Sequence, residues 1–491
     1  MRRELLKINN LNCTHTQEGK LDNISLFILE GECVGFLGLS YSGKDLLAKI
    51  LSGNVERGFS GHIHIAGSDK QQDRFKRYIY KICPANYLIG DWTVAEYLCL
   101  VESKKHRVYL RRTELENEAK EYLEKLNLKI QVTKKLKQLS EIEKRIVDFA
   151  KACYRGAKIV IIEDEFEGMS YDEIRMFARI IHRLVKERIG VIVNSHSNFV
   201  LTTLSDKYII FSEGRIVKKC KNINNDSEAQ LYQFLQEGQV EKETEKYLYD
   251  KDQSEIDDFW YCVKNLELRK RETAEFNINK GEIVTIISHD KIQKDKIFRA
   301  LSGREKIGNT LYIINGKTYS RMDYYKLAEE RIVSVKVLGS LEELFKRMSV
   351  EENLLLPSLK KFSTFDYIGF SKKIRDIIML EMKQDTSHKG MWIKDLKINE
   401  LVELTLARWY VLNPKVIVLL EPFGLCDVNG VKIVKRYLKK FSSKGTAVIV
   451  ISARSEYMEG ISDRIIDMEF LKNWHLEVII MVRRSRQSGV A

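Results

Sequence analysis

The residues Gly38-Leu-Ser-Tyr-Ser-Gly43-Lys44-Asp45 have the types and spacing of a phosphate-binding loop. In a G-x-x-x-x-G-K-[ST] run the glycines let the backbone wrap, so that successive N–H groups and the following helix N-terminus point at phosphate oxygens. The lysine adds charge, and Ser40 and Ser42 line the same turn as candidate nucleotide-binding residues with Gly38, Gly43 and Lys44. One position departs from the pattern. Asp45 stands where a Ser or Thr hydroxyl would hold magnesium. Its carboxylate has two opposite uses: to ligate the metal directly, as hard cations accept Asp oxygens, or to cap the helix and set negative charge beside the phosphates. Without a bridging metal, two unit charges ~4 Å apart repel by about 4 kcal/mol at an effective dielectric near 20. The plain structural alternative is an ordinary strand-to-helix turn.

Two further groups accompany the loop. Lys158-Ile-Val-Ile-Ile-Glu-Asp-Glu165 is an apolar run ending in three acids, and Asn194-Ser-His-Ser197 follows the apolar run Gly190-Val-Ile-Val193. Acids closing a buried strand in solvent, and a structural histidine after a strand, are the bland readings.

The elements that must position these groups alternate. A strand-like run, Glu32–Leu37, precedes the loop and a helix-like run, Leu46–Leu51, follows it. Strand and helix patterns continue to alternate along the chain, which predicts α/β domains with a mainly parallel sheet. A helical insert is expected between about Trp92 and Lys135. Its best helix is predicted to open with a capping box, Thr113-x-x-Glu116, and to bury Leu115, Ala119, Leu123 and Leu126.

Internal repetition fixes the organisation. Gly31-Glu-x-Val34 recurs as Gly281-Glu-x-Val284, and Lys44-Asp45 as Lys294-Asp295. Leu51-Ser-Gly53 recurs as Leu301-Ser-Gly303, Thr93–Glu96 as Ser349–Glu352, and Asp206–Ile210 as Asp463–Asp467. Matches in this order mark a tandem duplication. We therefore expect a first domain at 1–225, a linker at 226–258 rich in Asn, Glu, Gln, Lys and Asp, a second domain at 259–470 and a tail at 471–491. A short helix is allowed at Ala229–Gln239, and a strand at Leu476–Val482.

Composition narrows the class. At 491 residues, 44% hydrophobic and 31% charged, the chain reads as globular domains rather than disorder. No stretch reaches the ~18 apolar residues of a membrane span, and the opening residues lack a secretory signal pattern. The eight cysteines show no C-x-x-C pairing, which predicts reduced thiols, no zinc site and a cytoplasmic location. Net charge is +13. A lysine-rich solvated surface accounts for it as well as an anionic membrane face does, and no arginine-rich arm or aromatic-interleaved basic motif points to nucleic acid.

The order of these motifs resembles the ABC-type ATPase cassette: phosphate loop, Thr93-Val-Ala-Glu96, Leu139-Ser before a helix, the acid-ended strand, then Ser195-His196. Two cassettes in one chain are similar to the tandem ATP-binding subunits of bacterial carbohydrate (ribose/galactose-type) importers. The likeness extends to about residue 470, and the second half supports it with Asn413–Pro422 and Gly460–Ile466. It implies two P-loop NTPase (ABC ATPase) domains, ATP and magnesium as cofactors, and membrane permease subunits as partners. The chain itself would be peripheral on the inner face of the cell membrane, with no transmembrane segment and no nucleic acid.

Residue by residue, the resemblance puts Glu163 at the metal-side acid and Asp164 where the family has its catalytic glutamate, with Asp45 the second metal candidate. A shift of one residue would assign Asp164 and Glu165 instead. His196 falls at the γ-phosphate contact, so Glu163, Asp164 and His196 are the catalytic candidates. His15 lies near the adenine-stacking position. Several positions depart from the family. Pro84 replaces a metal-sensing glutamine that also passes motion to the membrane partner. The signature Leu-Ser-Gly-Gly-Gln is Leu139-Ser-Glu-Ile-Glu143, where Glu141 and Ile142 are expected to add bulk and negative charge. Its second copy is Leu396-Lys-Ile-Asn-Glu400, in which Lys397 would meet phosphate. In head-to-tail pairs each nucleotide lies between one phosphate loop and the other cassette's signature, so Lys397 would complete the first site.

The second loop, Ser288-His-Asp-Lys-Ile-Gln-Lys294-Asp295, has no glycine, which makes a left-handed backbone nest costly. Leu420 takes the metal-acid position, leaving Glu421, and Ala453 takes that of the histidine. The expected function is ATP binding, with impaired hydrolysis at the first site only, coupled to a permease. The alternative is a catalytically inactive pseudo-ATPase with a docking or regulatory role. A tandem cassette acting on ribosomes is a weaker fit, because the linker carries no long basic helical arm.

Overall fold

The computed structural model separates into two units, Met1–Tyr247 and Leu248–Ala491. The residues described are 3–14, 19–55, 58–66, 78–82, 88–99, 111–163, 166, 169–186, 189–221, 260–269, 272–304, 309–358, 392–424, 426–455 and 457–468. The expected linker at 226–258 with its helix at Ala229–Gln239, the tail with its strand at Leu476–Val482, and His15, Pro84, Asp164 and Glu165 lie outside them.

The first unit opens with an antiparallel sheet of strands β1 (Glu4–Cys13), β2 (Leu21–Leu29) and β4 (Phe59–Ile65), in the order β2-β1-β4. A second sheet carries the site. Its order is β5 (Ile79–Lys81), β6 (Ile159–Glu163), β7 (Gly190–Asn194), β3 (Cys33–Leu37), β8 (Lys207–Ser212) and β9 (Arg215–Lys221). All neighbours are parallel except β8 and β9. Strands β3 and β7 are buried along their whole length, as expected where both faces of a parallel sheet are covered.

Alternate residues face opposite layers. Val34, Phe36, Ile159, Ile161 and Ile192 pack with helix α1 (Lys44–Leu51) and the small sheet. Val160, Ile162, Val191 and Val193 pack with the helical side. That side contains α2 (Val94–Cys99), α3 (Arg112–Lys125), α4 (Glu141–Tyr154), α5 (Tyr171–Val185) and α6 (Asn198–Leu204).

The helical insert is present, with Leu115, Ala119, Leu123 and Leu126 buried as their periodicity predicts. The expected capping box at Thr113 is not formed. Helix α3 begins at Arg112 behind an uncapped Arg111, and Glu116 instead accepts from Arg112 Nε at 2.9 Å. The i,i+4 geometry within the first turn offered Glu116 a charged partner in place of the backbone. A polar pin ties the insert to the sheet. The hydroxyls of Tyr80 on β5 and Tyr97 on α2 both donate to Asp148 of α4 at 2.6 Å, and Lys151 Nζ lies 3.7 Å from the Tyr97 ring centroid. Burial, then the Asp148 charge, pushes the Tyr97 hydroxyl far above its ordinary range.

The second unit repeats the plan. An antiparallel sheet orders β11 (Glu272–Ile278), β10 (Tyr261–Arg269), β13 (Leu311–Ile314) and β14 (Lys317–Tyr319). A parallel sheet orders β15 (Ile332–Val335), β16 (Val416–Leu420), β17 (Ala447–Ser452), β12 (Ile283–Ile287) and β18 (Arg464–Asp467). Helices α7 (Lys291–Leu301), α8 (Tyr324–Glu329), α9 (Val350–Leu355), α10 (Ile398–Leu412) and α11 (Val428–Ser443) complete its described elements. Each unit thus adds an antiparallel sheet to the expected parallel one. Among the described residues no helix is long and apolar enough to cross a membrane, and the cysteines are free thiols.

Candidate functional site

The phosphate loop of the first unit is held open by its backbone. It leaves β3 at Gly38, where an added Cβ would come within 2.4 Å of Ser42 Oγ and 2.8 Å of the Phe211 carbonyl. It enters α1 through Gly43, at φ 102°, where a Cβ would meet the Lys20 carbonyl at 2.8 Å. Gly214 N–H, in the β8–β9 turn, donates to the Ser42 carbonyl at 2.9 Å and pins the loop from outside. No side chain caps α1. Its first N–H groups, which have no partner inside a helix, are therefore left for an anion. Ser42 Oγ is buried without a hydrogen-bond partner. Ser40 lies partly exposed on the same turn.

Lys44 is the first residue of α1 and its side chain is fully buried. Its Nζ lies 3.0 Å from Asp45 Oδ1, 2.9 Å from Asn194 Oδ1 and 3.4 Å from His196 Nε2. Asn194 closes the ring by donating Nδ2–H to Asp45 Oδ1 at 2.9 Å. Burial alone would raise the Asp45 carboxyl. The Lys44 ammonium, His196 and the hydrogen bonds from Asn194 and Lys44 outweigh it and hold the group below the ordinary carboxylate range.

Sheet register carries the row onward. Asn194 of β7 is paired with Glu163, the last residue of β6. Lys81 of β5 is paired with Ile161, so Lys81 and Glu163 are diagonal neighbours on one face, and they form an ion pair. The carboxyl-end row across β5, β6, β7 and the loop therefore reads Lys81, Glu163, Asn194, Lys44 with Asp45. Asn194 and Lys81 were not anticipated. Each is a lone polar residue closing an otherwise apolar strand, a signal that acquires meaning only once strand pairing is known.

The fit to a nucleotide separates into two parts. A triphosphate fits, because Gly38 and Gly43 leave a cradle that side chains would fill, with an uncapped helix end, an orphan serine hydroxyl and a buried ammonium around it. Magnesium fits the donor chemistry of Asp45 and Glu163 but not their pairing. Each carboxylate is already neutralised by a lysine, and Asp45 Oδ1 accepts two hydrogen bonds.

Around the signature element, Ser140 caps α4 in a reciprocal box with Glu143, at 3.3 and 2.8 Å. Ile142, expected to add bulk at this surface, is turned into the core, and Glu141 is paired with Lys144 at 2.9 Å. The bulk is absorbed because position 142 falls on the buried stripe of an amphipathic helix. Lys397 is exposed at the N-cap of α10 in the second unit.

The second unit's loop is filled by its own chain. Helix α7 starts at Lys291, so Lys294 is its fourth residue where Lys44 is the first of α1. Asp290 caps the helix, accepting from Ile292 N–H at 2.9 Å and Gln293 N–H at 3.4 Å. Lys294 pairs with Glu421, which also accepts from Ala453 N–H at 2.8 Å and Ser452 Oγ at 2.9 Å. Asp295 turns away to Arg299 at 2.6 Å and Lys336 at 2.9 Å. The register puts Leu420 opposite Ile451, where Glu163 stands opposite Asn194.

Among the described residues, Cys33, His182 and Asp206 also gather metal-capable atoms. Asp206 spends a carboxylate oxygen on the Cys33 N–H at 3.2 Å, and Asp463 does the same for Ile283 at 2.9 Å. The shared geometry marks both aspartates as strand-end caps.

The sequence resembles known proteins along nearly its whole length. A family described as ABC transporter matches residues 21–166. The ribose import ATP-binding protein RbsA of Clostridium perfringens (strain SM101 / Type A) is 26% identical over 480 residues, covering 95% of this chain and 94% of its own. The arabinose import ATP-binding protein AraG of Mannheimia succiniciproducens is 24% identical over 471 residues, covering 94% and 93%. A solved nucleotide-free ATP-binding cassette from an ABC transporter covers 47% of this chain and 96% of its own at 18% identity, with a TM-score of 0.40. The first unit holds the stretch that matches the ABC transporter family, and along nearly its whole length the two-unit chain is similar to the ATP-binding proteins of bacterial ribose and arabinose importers.

Proposed function

We propose that the protein is the ATP-binding subunit of an ABC-type importer of the carbohydrate class. In this reading it works on the cytoplasmic face of the membrane with permease subunits, and only its first unit takes nucleotide. The observation that carries the proposal is the contrast between an uncapped helix end at Gly43, with Lys44 buried at its start, and a second loop closed by Asp290 and Glu421. Similarity to ribose and arabinose import proteins along nearly the whole chain supports the transport class.

In the first unit Gly38, Ser40, Ser42, Gly43 and Lys44 hold the triphosphate, and His196, 3.4 Å from Lys44, faces its terminal phosphate. Glu163 and Asp164 are the acids for orienting water. Hydrolysis is slow in this reading, because Lys81 ties up Glu163. That same ion pair favours the second reading, a pseudo-ATPase that binds nucleotide for docking or regulation and does not turn it over.

The test is a titration of the whole protein with labelled ATP, beside Lys44→Ala and Lys294→Ala. One saturable site lost in Lys44→Ala and kept in Lys294→Ala is expected. Absence of saturable binding at millimolar ATP would overturn the nucleotide reading. Turnover measured on the same samples separates the slow ATPase from the pseudo-ATPase.

A further inference from the structure

The charge row at the carboxyl end of the first sheet has a consequence for how phosphate charge is met. A metal held by the protein needs carboxylate oxygens whose charge is uncompensated or easily released. Here the two candidate carboxylates face ammonium groups: Asp45 Oδ1 lies 3.0 Å from Lys44 Nζ and 2.9 Å from Asn194 Nδ2, and Glu163 is paired with Lys81. The second pairing is built by the backbone. Parallel register sets Lys81 against Ile161, which brings its side chain over Glu163 on the same face.

The other unit supplies an independent control. By the same register Ser334 stands where Lys81 does and Leu420 where Glu163 does. The two positions are charged together in the unit with an open loop and uncharged together in the unit with a closed one. Lys81 thus behaves as the partner of Glu163 rather than as a stray surface lysine, and its side chain is only 26% exposed.

We propose that the first unit binds the nucleotide's triphosphate without a requirement for magnesium, Lys81 standing in for the metal at Glu163 and Lys44 meeting the phosphates. This rests on the nucleotide reading of the site. The Lys81 ammonium is a compact point charge with three donors on a flexible stem, so it can meet phosphate oxygens while it stays paired with Glu163. Asp45 in turn keeps Lys44 neutralised until phosphate competes for it.

The experiment is a titration with a fluorescent ATP analogue in magnesium chloride and, separately, in excess EDTA. It uses the full chain and the variants Lys81→Met, Lys81→Arg and Glu163→Gln, with melting curves run on each. Wild type and Lys81→Arg are expected to bind equally in both buffers, within about threefold. Lys81→Met, which frees Glu163 for the metal, gains a magnesium effect of about tenfold. Glu163→Gln, which frees Lys81, tightens binding in EDTA. Wild type binding about tenfold more tightly in magnesium would overturn the inference. So would Lys81→Met without a new magnesium effect or, should that variant not fold, Glu163→Gln unchanged in EDTA. Loss of binding in both buffers would overturn the nucleotide reading itself, and this inference with it.

Discussion

The two phosphate loops begin from the same Lys-Asp pair and end in opposite arrangements. In the first unit Gly43 at φ 102° starts α1 late, and the helix end stays uncapped. In the second, the helix starts three residues earlier relative to its lysine, and a carboxylate from Asp290 sits on the freed N–H groups. A helix N-terminus attracts negative charge whatever carries it. One unit leaves that charge to be supplied from outside, and the other supplies it from its own chain. The lysines follow suit, Lys44 in a ring with Asp45 and Asn194, Lys294 locked to Glu421.

The comparison breaks most visibly at Lys294. Lys294→Met leaves Glu421, whose side chain is 13% exposed, without its countercharge and should destabilise the second unit by about 3 kcal/mol, toward the low end for a buried pair, read by denaturant unfolding. Lys294→Met with Glu421→Leu should recover much of that loss, and ATP binding at the first unit should be untouched by either change. Next in size is Gly43→Ala, which forces a side chain into a positive-φ position and against the Lys20 carbonyl, at a cost of about 1–2 kcal/mol. Its melting shift should be accompanied by weaker nucleotide binding, whereas a shift with unchanged affinity would argue against the cradle. Asp290→Ala removes a helix cap worth about 1 kcal/mol, and calorimetry should detect the loss without any new nucleotide site. The smallest effect is in acid. The Asp45 carboxyl is lowered in the folded state, so its contribution is present above the ordinary value of 3.8 and is lost as pH falls through the lowered one. The melting difference between wild type and Asp45→Asn should be flat near neutrality and shrink below that value. A difference unchanged in acid would show that Asp45 does not pair as described.

Much of this was legible in the sequence, for identifiable reasons. The duplication and the parallel sheets follow from recurrent motifs and apolar runs, which are local patterns. The closed second loop was foreshadowed by the absence of glycine, since a turn that needs left-handed residues cannot form cheaply without them. What escaped was juxtaposition. Asn194 reads as the polar end of a strand until pairing sets it beside Glu163, and Lys81 as a surface lysine until register brings it over that acid. The expected capping box at Thr113 failed for the opposite reason, a sound local motif overridden by a nearer charged partner on the same helix.

The pin at Asp148 gives the first unit a mechanical property. Tyr80 and Lys81 are consecutive on β5, one pointing to Asp148 and the insert, the other to Glu163 and the charge row. A twist of α2 or α4 is thereby geared, through one short strand, to the distance between an ammonium and a carboxylate. The second unit has no such gear at this place: Thr405, at the matching position, spends its hydroxyl on Leu401 of its own helix. Cutting the gear with Tyr80→Phe should leave the row assembled while slackening its response to whatever moves the insert, and a spin-label distance between α3 and β5 would register that as a broader distribution. An unchanged width would mean that the insert and the row move independently.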